Sequence, residues 1–489
     1  MYCRQPPRIG LFLCILFLCL AGRGVAGPMH AEENRLLLPV YRLLAVHAPK
    51  IGVSGLLFPP DRPLQVTLNN LKPGSENWVG IFPAGAASAV GNEVGWAWTG
   101  NIRAGTITVP LYNDIPNGQY EARLFYDNSL EMETKCSFML WRSTRLDRPV
   151  YADDGGLPEL TGDWYGALGE LQVERLTTPS PWPGYAADSE MNVDLYIPAG
   201  LTTSRPTVFF ISGYGNYHSE KYYSLLYFIA SQGFNCVFIP HRYTEPDTNP
   251  DILLRILDGV TDRFSLLIDT ARVGYAGHSE GGGLIYYLAR ERPAWGTKGR
   301  FLFSLAAWWG FHLPTTGTVD YPANTNLLVQ VNRDDPGTDP RQNIDFLLHN
   351  NIPAERKSYL YLPGDAAHTA DHDVSYSEVL ATGYGFDALE QVGLYRPLES
   401  LMRYSFEGDT TWKSIGLPDQ GDTNYDTLYT VNGITVLSTD DPLGNSHIPI
   451  PQESALDSRF LCSKDGNPRW RMCMPCRDSP RDQAWSQCQ

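Results

Sequence analysis

Residues 272–289 read RVGYAGHSEGGGLIYYLA, and the way this stretch folds decides the architecture of the chain. A run of small and apolar residues ends in the polar triplet His278-Ser279-Glu280, glycines stand on both sides of it, and a helical pattern follows. Glycines ahead of a helix can cradle a phosphate, make an ordinary turn, or present a side chain on a bend too tight for larger neighbours. The phosphate reading lacks the lysine that closes such loops. Gly277-His278-Ser279-Glu280-Gly281 fits G-x-S-x-G between a strand and a helix, where a serine sits on a strained turn with its hydroxyl projecting from the sheet edge. Ser279 is the candidate nucleophile.

The flanks support that context. From Trp164 onward, strand-like ELQVERL, MNVDLYIPA, TVFFIS, NCVFIP, FLFSLAAWW, NLLVQVN and KSYLYLP are interleaved with helical KYYSLLYFIASQG and ILLRILDGVTDRFSLL. Strands alternating with helices predict a mostly parallel sheet flanked by helices, an α/β class. A serine at its ordinary pKa is a poor nucleophile, so a base and an orienting acid must follow it in the order Ser, Asp, His. Asp334 and Asp335 stand directly after NLLVQVN; Asp334 is the expected acid, because Asp335 precedes Pro336 and is biased to an extended conformation. His368, in the loop after KSYLYLP, is the expected base, with His372 as its rival four residues deeper. His241 reads as a loop residue packed near the sheet edge.

A developing oxyanion needs two backbone N–H donors fixed in advance. Glu280, directly after the serine, supplies one; Tyr214, in the turn Gly213-Tyr214-Gly215 after TVFFIS, supplies the other. The Tyr214 ring is expected to form one wall of the acyl pocket, and Trp308 and Trp309, with Phe311, the opposite wall.

The rest of the chain frames this half. A length of 489 residues implies two or three domains, each able to bury a real core. Arg4 and Arg8 precede an apolar run, and small residues follow at Gly24 and Ala26, so 1–26 is read as a secretory signal and not as a membrane anchor. The mature protein is then secreted or periplasmic. From 50 to 142, short β-branched and aromatic runs such as PLQVTLNNL, NWVGIF and YEARLFY alternate with turn signals, which predicts an all-β sandwich. Residues 143–163 read as a linker, 164–410 as the catalytic domain, and 411–489 as a C-terminal extension. Six cysteines remain beyond the leader, and Cys462, Cys473, Cys476 and Cys488 crowd the tail. In an exported chain two disulfides are expected there in preference to a zinc site. Cys136 and Cys236 read as lone buried thiols. The net charge of −16 and the lack of clustered Lys and Arg argue against nucleic acid as a partner.

The stretches VFFISGYGNY, GHSEGGG, NRDD and PGDAAH resemble the motifs of the α/β-hydrolase superfamily, nearest its dienelactone-hydrolase, chlorophyllase and bacterial cutinase or polyester-hydrolase branch. The likeness runs from about Trp164 to Arg403. It implies Ser279, Asp334 and His368 as triad and Tyr214 and Glu280 as oxyanion hole. Ser212 stands where polyester hydrolases show proline, and Glu280 is an acidic residue after the serine. NWVGIFPAG and GQYEARLFYDNS resemble immunoglobulin-like sandwiches of the SKICH type, which imply a domain that binds a surface, a glycan or a lipid. The expectation is therefore an exported serine hydrolase of carboxylic esters, esterase-, lipase- or cutinase-like, acting on a small or polymeric ester with no metal or organic cofactor. Two alternatives stand beside it: a secreted binding protein using the sandwich, and a peptidase or amidase on the same fold.

Overall fold

The computed structural model describes residues 48–152, 158–162, 164–242, 250–307, 313, 318–332, 334–335, 337–338, 347, 350–362, 369–417, 430–431 and 434–435. The chain divides after Arg142 into two compact units, the first also taking in Gly200–Thr203.

In the first unit, β1 (Lys50–Val53), β2 (Leu57–Phe58), β3 (Leu64–Asn69), β4 (Trp78–Pro83), β5 (Gly95–Trp98), β6 (Gly105–Val109), β7 (Gly118–Phe125) and β8 (Met132–Leu140) form two sheets. One has the order β1-β3-β6 and the other β2-β8-β7-β4-β5. Alternation drives the burial: Leu64, Val66 and Leu68 of β3 turn inward while Gln65 is exposed. Ile51, Val66 and Val109 from the smaller sheet share one apolar cluster with Val79, Leu124 and Phe138 from the larger. Cys136, expected as a lone thiol, is disulfide-bonded; Cys236 is a free buried thiol.

The second unit begins without a linker. Ser143–Arg145, expected within a spacer over 143–163, form β9 and pair with Glu174–Leu176 at the edge of a nine-stranded sheet. Val150–Tyr151 (β10) pair with Gly385–Phe386, and Leu160 is buried with both backbone polar groups bonded to Gln391. The segment has its own strand pairing and core contacts, so it belongs to the unit. At the other end, Gly416 N–H donates to Ser400 Oγ at 2.8 Å, which carries the packed unit past the boundary expected at 410 to Leu417.

The large sheet adds β11 (Val173–Thr178), β12 (Val193–Pro198), β13 (Arg205–Ile211), β14 (Asn235–Ile239), β15 (Ile268–His278), β16 (Gly299–Leu305), β17 (Thr325–Asn332) and β18 (Lys357–Leu362). Its order is β18-β17-β16-β15-β13-β14-β12-β11-β9. The strands from β14 to β18 run parallel to one another, and β12 runs antiparallel to both its neighbours. Parallel strands require crossovers, and the helices Tyr223–Ser231, Pro250–Arg263 and Glu280–Glu291 supply three of them. Strands covered on both faces read as continuous apolar runs, as in the fully buried FLFSL of β16 and LLVQV of β17. A mixed sheet with a serine-bearing turn between a central strand and its helix is the arrangement that the resemblance to the α/β-hydrolases implies. Among the described residues no helix is long and apolar enough to cross a membrane.

Candidate active site

Strand β15 ends at His278, and the helix Glu280–Glu291 starts two residues later. Ser279, between them, has φ 55° and ψ −119°, a conformation that costs a non-glycine residue about 1–3 kcal/mol. Its neighbours must be small for contact reasons. A Cβ on Gly277 would lie 2.4 Å from the Gly281 carbonyl oxygen, and one on Gly281 would lie 2.2 Å from that of Ile211. The turn is pinned to the sheet where Ser279 N–H donates to the Leu305 carbonyl at 2.9 Å.

The serine faces a histidine. His372 Nε2 lies 2.9 Å from Ser279 Oγ, and His372 Nδ1 lies 2.9 Å from Asp335 Oδ2. Ser279 is joined in this way to His372 and Asp335, whereas His368 and Asp334 were the expected partners. His368 lies outside the described residues, as do Trp308, Trp309, the leader and the tail cysteines. Asp334 is exposed, and its N–H donates to the Ala370 carbonyl. Asp335 is the acid directed inward. Its Oδ1 accepts from Gly337 N–H at 2.5 Å and Thr338 N–H at 3.1 Å, and its Oδ2 accepts from the Thr338 hydroxyl at 2.5 Å. A buried carboxylate with that many donors is held in one orientation. The Asp-Pro step does not exclude Asp335; the turn after β17, with Asp335 N–H on the Asn332 carbonyl, sets which of two adjacent side chains faces the histidine.

Burial alone would lower the pKa of His372. The hydrogen bond and charge of Asp335, with Asp373 and Asp371 farther out, outweigh it and leave the pKa raised. His278 is the opposite case: full burial, reinforced by His372, lowers its pKa to about 3. It is uncharged at neutral pH.

Glu280 opens its helix, so its N–H has no carbonyl one turn earlier to bond. Tyr214 occupies the turn after β13, where Gly215 has φ 74° and Asn216 N–H closes onto the Gly213 carbonyl. The Tyr214 side chain is 64% exposed. The Glu280 carboxylate is buried against His241, at 3.1 Å between Oε2 and Nε2, an ion-pair distance off the line of a hydrogen bond. His241 Nδ1 is 3.4 Å from Ser212 Oγ. His241, expected as a loop residue near the sheet edge, thus sits buried beside the residue that follows the serine. Sequence reasoning missed this contact and the ring contacts of His278, because both depend on segments far away in the chain that fold against those rings.

No family model and no curated relative matches the chain. Among solved structures, a dienelactone-hydrolase structure from Klebsiella pneumoniae is similar at 13% identity and TM-score 0.30, covering 41% of this chain and 87% of that one. Esterase B from Lactobacillus rhamnosis is similar at 15% identity and TM-score 0.36, covering 51% and 89%. Est1E from Butyrivibrio proteoclasticus is similar at 15% identity and TM-score 0.28, covering 38% and 88%. The chemistry of the site is therefore read from its own geometry.

Proposed function

We propose that this chain is a serine hydrolase that cleaves carboxylic esters through an acyl-enzyme. The observation that carries the reading is the unbroken line of hydrogen bonds from Ser279 Oγ through the His372 ring to Asp335. In this mechanism His372 Nε2 takes the Ser279 proton as Oγ attacks the ester carbonyl. Asp335 holds Nδ1–H and stabilises the imidazolium that forms. The tetrahedral oxyanion is received by the backbone N–H groups of Glu280 and Tyr214. Collapse transfers the proton from His372 to the departing alkoxide and leaves Ser279 acylated. Water, deprotonated by the same imidazole, then releases the acid and restores the serine.

Labelling with a fluorophosphonate, followed by turnover of acyl esters of rising chain length and of matching anilides, tests this. Parent protein should label and prefer esters; Ser279→Ala should stay folded, resist labelling and lose about 10⁶-fold in kcat. Unlabelled parent, or ester turnover that survives Ser279→Ala, would sink the reading. Preference for anilides would move it to an amidase.

The expected leader and tail belong to the same proposal. Residues 1–26 are taken as removed on export, and, because Cys136 is bonded and Cys236 free, one tail cysteine is taken as the partner of Cys136 in place of the two bridges expected within the tail; terminal sequencing and disulfide mapping of the unreduced exported protein test this directly. The first unit is taken as an accessory immunoglobulin-like, SKICH-like domain that holds the enzyme on a surface, a glycan or a lipid. Pull-down of the separate halves by those materials tests it.

A further inference from the structure

His278 carries neither the nucleophile nor the proton that the reaction moves, yet it touches both ends of the machinery. It is fully buried. One ring nitrogen, Nε2, lies 2.8 Å from the backbone carbonyl oxygen of His372; the other, Nδ1, lies 3.0 Å from the Tyr222 hydroxyl. That hydroxyl accepts from Gly213 N–H at 2.9 Å.

The proton positions follow from the partners. A carbonyl oxygen only accepts, so Nε2 carries the hydrogen of the neutral ring, and Nδ1 is left as an acceptor. Tyr222 Oη–H donates to Nδ1 and, through a lone pair, Tyr222 accepts from Gly213. Every bond in the series Gly213 N–H to Tyr222, Tyr222 to His278, and His278 to the His372 carbonyl then has one donor and one acceptor. A charged imidazole would put a proton at Nδ1 against the hydroxyl, and the low pKa of His278 keeps the ring in the form the series needs. The rings are also packed together: His278 and His372 have centroids 4.7 Å apart, and Tyr376 stands edge-on to His278 at 5.3 Å. Gly213 is confined at the far end, where a Cβ would come within 3.1 Å of His278 Nδ1 and 3.2 Å of the Tyr222 hydroxyl.

Resting on the serine-hydrolase reading, we infer that His278 is a positioning residue: through Tyr222 it ties the turn that carries Tyr214 to the backbone of His372, so that the oxyanion donors and the general base are held in one register. The Gly213 N–H is engaged by Tyr222, which leaves the next residue of the turn, Tyr214, as the donor that the serine-hydrolase reading calls on. The tie acts when charge develops and the proton moves, so its loss falls on kcat and spares ground-state binding.

The test measures kcat and KM separately on the ester that the parent turns over best, with thermal midpoints taken for every variant. His278→Leu removes both bonds at similar volume, and a drop in kcat of about 10² with KM changed less than about threefold is expected, the size of effect that a misplacement near 1 Å brings. His278→Gln keeps an amide N–H in reach of the His372 carbonyl and should recover most of that loss. Tyr222→Phe deletes one hydroxyl, leaves the packing intact, and should lower kcat about tenfold; it keeps the inference testable if His278→Leu does not fold. Parent-like kcat in folded His278→Leu or in Tyr222→Phe overturns the inference, and so does a folded His278→Gln no better than His278→Leu. Ser279→Ala is run alongside. If it is as active as the parent, the hydrolase reading itself fails; if it is inert while the His278 and Tyr222 variants are unaffected, only the positioning role fails.

Discussion

The turn at Ser279 and the turn at Asp335 each hold one side chain of the proposed triad, and they do it by opposite means. At Ser279 the backbone is forced: a positive φ on a serine is tolerated because Gly277 and Gly281 have no side chains to collide with the helix backbone and the end of β13 that close around them. At Asp335 the side chain is caged, with two backbone N–H groups and one hydroxyl on its carboxylate besides His372. The first device is steric and all-or-none. The second is a sum of hydrogen bonds, each worth about 1.5–3 kcal/mol to a charged group. The nucleophile turn should therefore fail abruptly under substitution, and the acid turn by degrees.

The sharpest test lies within the acid turn. Asp335→Asn should reduce kcat by about 10⁴, because the amide favours the wrong tautomer of His372, while Asp334→Asn stays within about threefold of the parent. A reversal of the two values would return the role to Asp334. Next in size, Gly277→Ala drives a methyl group into the Gly281 carbonyl and should cost about 3 kcal/mol, the upper end for overpacking, as read from denaturant midpoints. A stable, active Gly277→Ala protein would contradict the steric account. Thr338→Val removes one donor from Asp335 Oδ2 and should lower kcat only about tenfold, with stability nearly unchanged. An abrupt loss there would erase the contrast between the two turns.

The smallest effect is a displacement along the pH axis. Only neutral His372 can accept the serine proton, and its pKa is raised, so the acid limb of kcat/KM should lie above the ordinary imidazole value of about 6.5. Asp335→Asn removes the main raising influence and leaves burial, which lowers the pKa. The limb of its residual activity should then move to lower pH. A limb fixed in both proteins would mean that another group titrates there.

The same contrast explains what could be read from the residues. The turn at Ser279 was legible because its constraint is local: small residues at fixed offsets from one serine, between a strand and a helix. The strands from β11 to β18 were legible too, since NCVFI or TNLLVQVN can satisfy its backbone and its apolar faces only inside a covered sheet. The partners of the serine were not. Asp334 and Asp335 have the same chemistry and adjacent positions, and the turn after β17 alone determines which faces inward. His368 and His372 differ by a few residues of loop, and the path of that loop depends on contacts with β15 and the turn after β13. Ser143–Arg145 look like linker because three exposed polar residues carry too little pattern to announce an edge strand.

The residues of the line at Ser279 come from the segments that follow three different strands, and 93 positions separate Ser279 from His372. At a translation rate of about 5–20 residues per second, the nucleophile leaves the ribosome about 5–20 s before its base. Parallel strands joined by crossovers are slow to dock, because each contact closes a long loop before it is rewarded. Until His372 is made, a nascent chain has the serine without the base that the proposed mechanism gives it. On that reading catalytic competence arrives as a late, cooperative event, and activity can serve as a timer for completion of the sheet.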